Sequence, residues 1–100
     1  MVLITTLDDV KAKIKSNLGF IESEYGVKEI GVFGSTARGD SRDDSDIDIL
    51  VDFSRSLGFI KFIKLENYLT KILNKQVDLI SKKALKPIIK DDILKEVCYV

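Results

Sequence analysis

Apolar residues at Leu7, Val10, Ile14, Leu18, Ile21 and Tyr25 recur every three or four positions, the spacing that lines one stripe of a helix. Thr6 is placed to cap that helix, Asp8 and Asp9 lie near its positive end, and Gly26 is placed to end it. Beyond the glycine the period changes. Val27–Phe33 is short and rich in β-branched and aromatic residues, which predicts a strand, and a glycine-containing segment, 34–45, follows. Residues 46–53 alternate: Ile47, Ile49, Val51 and Phe53 share one face, and Asp46, Asp48, Leu50 and Asp52 share the other. That is a strand with an apolar side and an acidic side. Helical spacing returns over about 57–74, where Phe62, Leu65, Leu69, Ile72 and Leu73 fall on one stripe. Residues 76–80 predict a third strand. A last helix over 85–97 tolerates Pro87 only in its first turn, where the missing N–H costs nothing, and Tyr99 and Val100 form a short apolar tail. The order αββαβα, without internal repeat or linker, predicts an α/β (α+β) fold: a small mixed sheet flanked by helices.

Composition narrows the chemistry. At 100 residues and 45% hydrophobic content, the chain is expected to form one domain, 1–100, with one modest core. Sixteen basic residues balance sixteen acidic ones, so no global field favours direct nucleic-acid binding. The balance is uneven, with seven basic and eleven acidic residues through Ser56 and nine basic and five acidic residues after it. The single cysteine, Cys98, suits a reducing compartment and reads as a small buried hydrophobe. No leader pattern and no apolar run near ~20 residues is seen, so the expected location is cytoplasmic, without membrane contact. The absence of histidine removes the usual general base and transition-metal ligand, leaving proton transfer and metal binding to carboxylates.

Those carboxylates follow a strand that ends in Gly34-Ser35. A helical turn starting there would point free N–H groups and the Ser35 hydroxyl past the strand end, where they can cradle a phosphate oxygen. Gly34 would let a phosphate approach the backbone, and Arg38 would add a delocalised positive charge. Asp46 and Asp48, two apart on a strand, leave the same face with Cα atoms roughly 6.5 to 7 Å apart. Their repulsion is relieved by a cation, and hard oxygen ligands favour Mg²⁺. Asp78 stands alone in an apolar strand, a costly position unless paired, hydrogen-bonded or metal-bound. If its strand neighbours that of Asp46, three carboxylates converge on a two-metal site. Asp40, Asp43 and Asp44 read as solvated loop residues, and Asp52 as too distant to take part.

The segment Gly34-Ser35, ten residues, then Asp46-Ile47-Asp48, with Val77-Asp78-Leu79 as third element, resembles the nucleotidyltransferase superfamily of DNA polymerase β type. The string Gly34-Ser35-Thr36-Ala37-Arg38-Gly39, the closing residues 94–100 and the short length resemble more narrowly the minimal nucleotidyltransferases, antitoxins encoded beside HEPN-domain ribonuclease toxins. The resemblance implies the polymerase β-like fold and transfer of AMP from ATP to a tyrosine of the toxin, with release of pyrophosphate. It implies that Gly34 and Ser35 hold ATP phosphates, that Asp46 and Asp48 bind two Mg²⁺ ions, and that Asp78 completes one metal site and helps deprotonate the acceptor. Two alternatives stay open: a small-molecule nucleotidyltransferase, and an antitoxin that acts by occlusion alone. So small a chain offers little surface to enclose an acceptor. Phe59, Ile60 and Ile63, off the main stripe of their helix, are therefore candidates for partner contact, as is the apolar tail.

Overall fold

The computed structural model describes residues 6–40 and 45–100; Asp43 and Asp44 lie outside them. The first helical stripe forms two helices, α1 (Leu7–Ser16) and α2 (Leu18–Tyr25). Thr6 Oγ1 accepts the Asp9 N–H at 3.1 Å, as its capping position predicts. The expected single helix is broken at Asn17, whose N–H turns back to the Ile14 carbonyl at 3.0 Å. The Asn17 side chain donates to the Lys13 carbonyl and accepts the Tyr68 hydroxyl. This anchored kink leaves the stripe intact: Val10, Ile14, Ile21 and Tyr25 are all buried. Gly26 closes α2 at φ 66°.

Next come β1 (Val27–Phe33), the five-residue helix α3 (Gly34–Arg38), β2 (Ile47–Phe53), α4 (Phe59–Leu73) and β3 (Val77–Ser81). A 3₁₀ turn (Lys82–Ala84), α5 (Pro87–Glu96) and β4 (Cys98–Tyr99) complete the chain. Pro87 occupies the first turn of α5, as its chemistry requires. The sheet order is β3-β2-β1-β4. It is mixed, with β2 and β3 parallel and the other pairs antiparallel. The short strand β4 replaces the expected free tail: Tyr99 pairs with Gly31 and Cys98 with Val32, and the Val100 N–H reaches the Ile30 carbonyl at 2.9 Å. Cys98, expected to be buried, is only half-buried because β4 is an edge.

The alternation in β2 decides where the core lies. Ile47, Ile49 and Val51 are buried with Val32, Ile30, Val77 and Leu79, beneath Val10, Ile14 and Ile21 of the first helices and Leu65, Leu69 and Leu73 of α4. The opposite face of β2 carries Asp48, Leu50 and Asp52, of which Leu50 is buried as well. Helix α4 also protects the outer edge of the sheet. Thr70 Oγ1 accepts the Val77 N–H at 3.1 Å and the Glu66 carboxylate accepts the Leu79 N–H at 2.9 Å, so β3 is tied down on both sides of Asp78.

Candidate active site

The acidic face of the sheet gathers the residues that the sequence marks for chemistry. In the parallel pairing of β2 and β3, Asp48 stands directly beside Asp78, so the two carboxylates leave adjacent strands on the same side. Asp46 precedes β2 by one residue and is exposed, as is Asp78. The expectation that Asp78 carries a burial cost is therefore corrected: β3 is the sheet edge, and this side chain faces the open surface. Asp52 remains apart, its carboxylate accepting the Phe53 N–H.

Asp48 is the half-buried member of the group. Burial, then the charges of Asp78 and Asp46, push its carboxyl above the ordinary aspartate range, while Arg38 pulls it back. Like charges held together on a folded sheet are a destabilising arrangement in the absence of a cation. Among the described residues no three acidic, His or Cys side chains close into a metal cage. The donor set is instead an open face of carboxylates, which suits a hard divalent ion that completes its shell with water and phosphate oxygens.

Beside the carboxylates lies the turn from β1 into α3. Gly34 is buried with φ 75°, a left-handed conformation that residues with a Cβ rarely adopt. A Cβ there would also collide with the Asp48 carboxylate. Glycine thus brings the loop backbone against the acidic face, a reason for its presence that the sequence alone did not show. Ser35 is half-buried at the start of α3. Arg38 is half-exposed and pairs with Asp40 at 3.4 Å and with Glu96 at 3.3 Å. Asp40, read from the sequence as a plain solvated residue, thus helps hold Arg38. Glu96 was not singled out by the sequence reasoning, although it falls within the closing residues that carried the resemblance. Its carboxylate also accepts the Gly34 N–H at 2.8 Å.

Thr36 is buried, and its hydroxyl has no hydrogen-bond partner among the described residues. An unsatisfied buried hydroxyl costs free energy. Thr36→Val is accordingly expected to raise stability by about 1 kcal/mol in urea unfolding; a loss of stability would show that the hydroxyl is engaged.

Comparison with known proteins places this arrangement. The nucleotidyltransferase domain profile matches residues 13–100. The chain belongs to the nucleotidyltransferase domain family. It is 44% identical over 95 residues to the protein adenylyltransferase MntA of Thermococcus cleftensis, covering 95% of this chain and 96% of the relative. A proposed protein adenylyltransferase of Methanocaldococcus jannaschii is 38% identical over 96 residues, covering 95% of this chain and 98% of the relative. Among solved structures, a proposed minimal nucleotidyltransferase superimposes with a TM-score of 0.80 at 31% identity, covering 93% of this chain and 94% of that one. A chain from a toxin–antitoxin complex with AMP-PNP shares the fold at a TM-score of 0.71 and 22% identity, covering 85% of this chain and 70% of that one. As a nucleotidyltransferase the protein acts on a nucleotide with the aid of a divalent metal. No helix among the described residues is long and apolar enough to cross a membrane.

Proposed function

We propose that this nucleotidyltransferase is an antitoxin that transfers AMP from ATP to a tyrosine of a cognate HEPN ribonuclease toxin and thereby inactivates it. The observation that carries the reading is the pairing of Asp48 with Asp78 beside the Gly34-Ser35 turn, which sets a carboxylate face against a phosphate cradle. Support comes from the 44% identity to a named protein adenylyltransferase over nearly the whole of both chains. In this reading Ser35 and Arg38 hold the triphosphate and Gly34, its N–H taken by Glu96, lets the phosphates approach the turn, while Asp46 and Asp48 hold two Mg²⁺ ions and Asp78 completes one metal site. Bound there, the metal ions would lower the pKa of the acceptor hydroxyl and offset charge on the leaving pyrophosphate.

The reaction is an in-line displacement. The tyrosine oxygen forms a bond to the α-phosphorus as the bond from that phosphorus to the bridging oxygen breaks, and pyrophosphate leaves with the bond's electrons. Asp78 helps to take the phenolic proton. A tyrosine starts near pKa 10, so modest assistance suffices, consistent with a chain that lacks histidine. With the reaction confined to ATP and a protein acceptor, the working location is the cytoplasm.

The acceptor must supply much of its own binding surface. Phe59 and Ile60 at the start of α4 are 79% and 71% exposed, which supports a docking role for this patch. Ile63 is half-buried, so a change there would perturb packing as well. Ile60→Asp is the cleaner probe. It is expected to weaken binding of the cognate toxin about tenfold in calorimetry and to leave ATP binding and the melting temperature unchanged; toxin affinity equal to wild type would remove the patch from the interface.

The acceptor class is tested by incubating the protein with α-labelled ATP, Mg²⁺ and either the product of the neighbouring gene or an aminoglycoside. Label on a tyrosine of the protein acceptor is the expected result. Label on the small molecule alone would overturn the reading in favour of a small-molecule nucleotidyltransferase.

A further inference from the structure

Glu96 reaches the phosphate loop from the far end of the chain, and the sheet register explains how. In the antiparallel ladder Gly31 faces Tyr99 and Val32 faces Cys98; continuing that register past the end of the ladder sets residue 96 opposite residue 34. Glu96 is also the last residue of α5, so it is held between a helix end and a strand start. Its Oε1 accepts the Gly34 N–H at 2.8 Å, and its two carboxylate oxygens lie 3.5 and 3.3 Å from one guanidinium nitrogen of Arg38. The side chain is 31% exposed, against 52% for Arg38. A carboxylate that takes a backbone N–H of the glycine turn and a guanidinium at once makes the kind of contacts by which such a loop would bind a phosphate.

We propose that Glu96 is a positioning residue that holds the phosphate-binding arginine in the nucleotide-free protein and yields it to the incoming triphosphate. The inference rests on the nucleotide-binding reading of the Gly34-Ser35 turn and adds to it an exchange step. Glu96 and Asp40 pair with Arg38. With ATP bound, Arg38 turns its guanidinium to a phosphate, and Glu96 keeps its anchor on the Gly34 N–H. The negative charge of Glu96 therefore competes with the nucleotide for Arg38, while its hydrogen bond keeps the left-handed turn in place.

The two roles separate in two variants. Glu96→Gln retains an acceptor for the Gly34 N–H but gives up the charge on Arg38. It is expected to lower the Kd and KM for ATP about two- to fivefold, a modest change because the pair is partly solvated. Glu96→Ala gives up the anchor too, and its kcat is expected to fall below that of Glu96→Gln. In an Arg38→Ala background Glu96→Gln is expected to leave ATP affinity unchanged, which a merely structural role would not produce.

The test is calorimetric titration of the four proteins with ATP and Mg²⁺, with transfer kinetics alongside. Wild-type affinity, or weaker binding, in Glu96→Gln would overturn the exchange and leave the nucleotide site standing. Binding by none of the proteins would overturn both. The expected affinity changes without any transfer of AMP to protein would uphold the exchange and overturn the adenylyltransferase reading alone.

Discussion

Replacing Asp48 by asparagine is expected to lower nucleotidyl transfer by about a thousandfold or more while making the metal-free protein more stable. Both effects follow from one position. Asp48 stands beside Asp78 across the parallel ladder, half-buried, and its carboxyl is pushed up first by burial and then by Asp78 and Asp46. A carboxyl whose pKa is raised on folding binds its proton more tightly in the folded state. Stability therefore falls as pH rises from the value of the unfolded aspartate through the raised folded value, and the whole penalty is present at neutral pH. Asparagine keeps the shape and removes the charge. Without divalent metal at pH 7, the variant should melt higher than wild type, and the gap should close as the pH is lowered through the carboxylate range. Added Mg²⁺ should raise the melting temperature of wild type more than that of the variant. A variant less stable than wild type at pH 7 would show that Asp48 is compensated in the folded protein, contrary to this account.

Gly34→Ala is expected to damage both folding and activity. The position combines φ 75° with a Cβ path that runs into the Asp48 carboxylate. The left-handed backbone alone costs an alanine about 1 to 2 kcal/mol, and relief of the collision requires the turn to move away from the acidic face. Loss of about 2 kcal/mol or more in urea unfolding is the expected outcome. Displacement of the loop by even 1 Å from the carboxylates is expected to reduce transfer about a hundredfold, and Mg²⁺ with ATP should no longer raise the melting temperature. Gly39→Ala is the control: that glycine is also left-handed, at φ 81°, but a Cβ there would meet nothing within 4 Å among the described residues, so it should lose stability and keep most of its activity. Equal loss of activity in both variants would remove the contact with Asp48 as the reason for Gly34.

Much of this site is legible in the sequence because strand alternation is a strong signal. The buried set Ile47, Ile49 and Val51 follows the alternation of residues 47–53, with the buried Leu50 between Asp48 and Asp52 on the other side. The lone Asp78 in an apolar run marks a strand position whose side chain leaves the core, although its exposure depends on β3 being the sheet edge, which spacing does not state. The break at Asn17 is invisible to periodicity because the stripe continues through it from Ile14 to Ile21. The Asn17 side chain at the break accepts the hydroxyl of Tyr68 in α4, a partner 51 residues away.

Glu96 illustrates the same limit at the site itself. Its meaning depends on the pairing of the two-residue strand β4 with β1, and two residues carry too little pattern to announce a strand. Long-range register, rather than local propensity, sets that carboxylate beside Gly34. The Gly34 turn was legible through its position after a strand, whereas its contact with Asp48 follows only from the antiparallel pairing of Phe33 with that residue.

The central claim, that toxin neutralisation proceeds by AMP transfer through the Asp46–Asp48–Asp78 face, is tested most directly by titrating the cognate toxin's ribonuclease activity with intact protein and with the Asp46→Ala, Asp48→Ala double variant, each with ATP and Mg²⁺. The intact protein is expected to abolish the ribonuclease activity at substoichiometric amounts, leaving AMP on a toxin tyrosine, and the double variant to do neither. Neutralisation by the double variant at equal potency, with no AMP on the toxin, would contradict the account and establish occlusion as the mechanism.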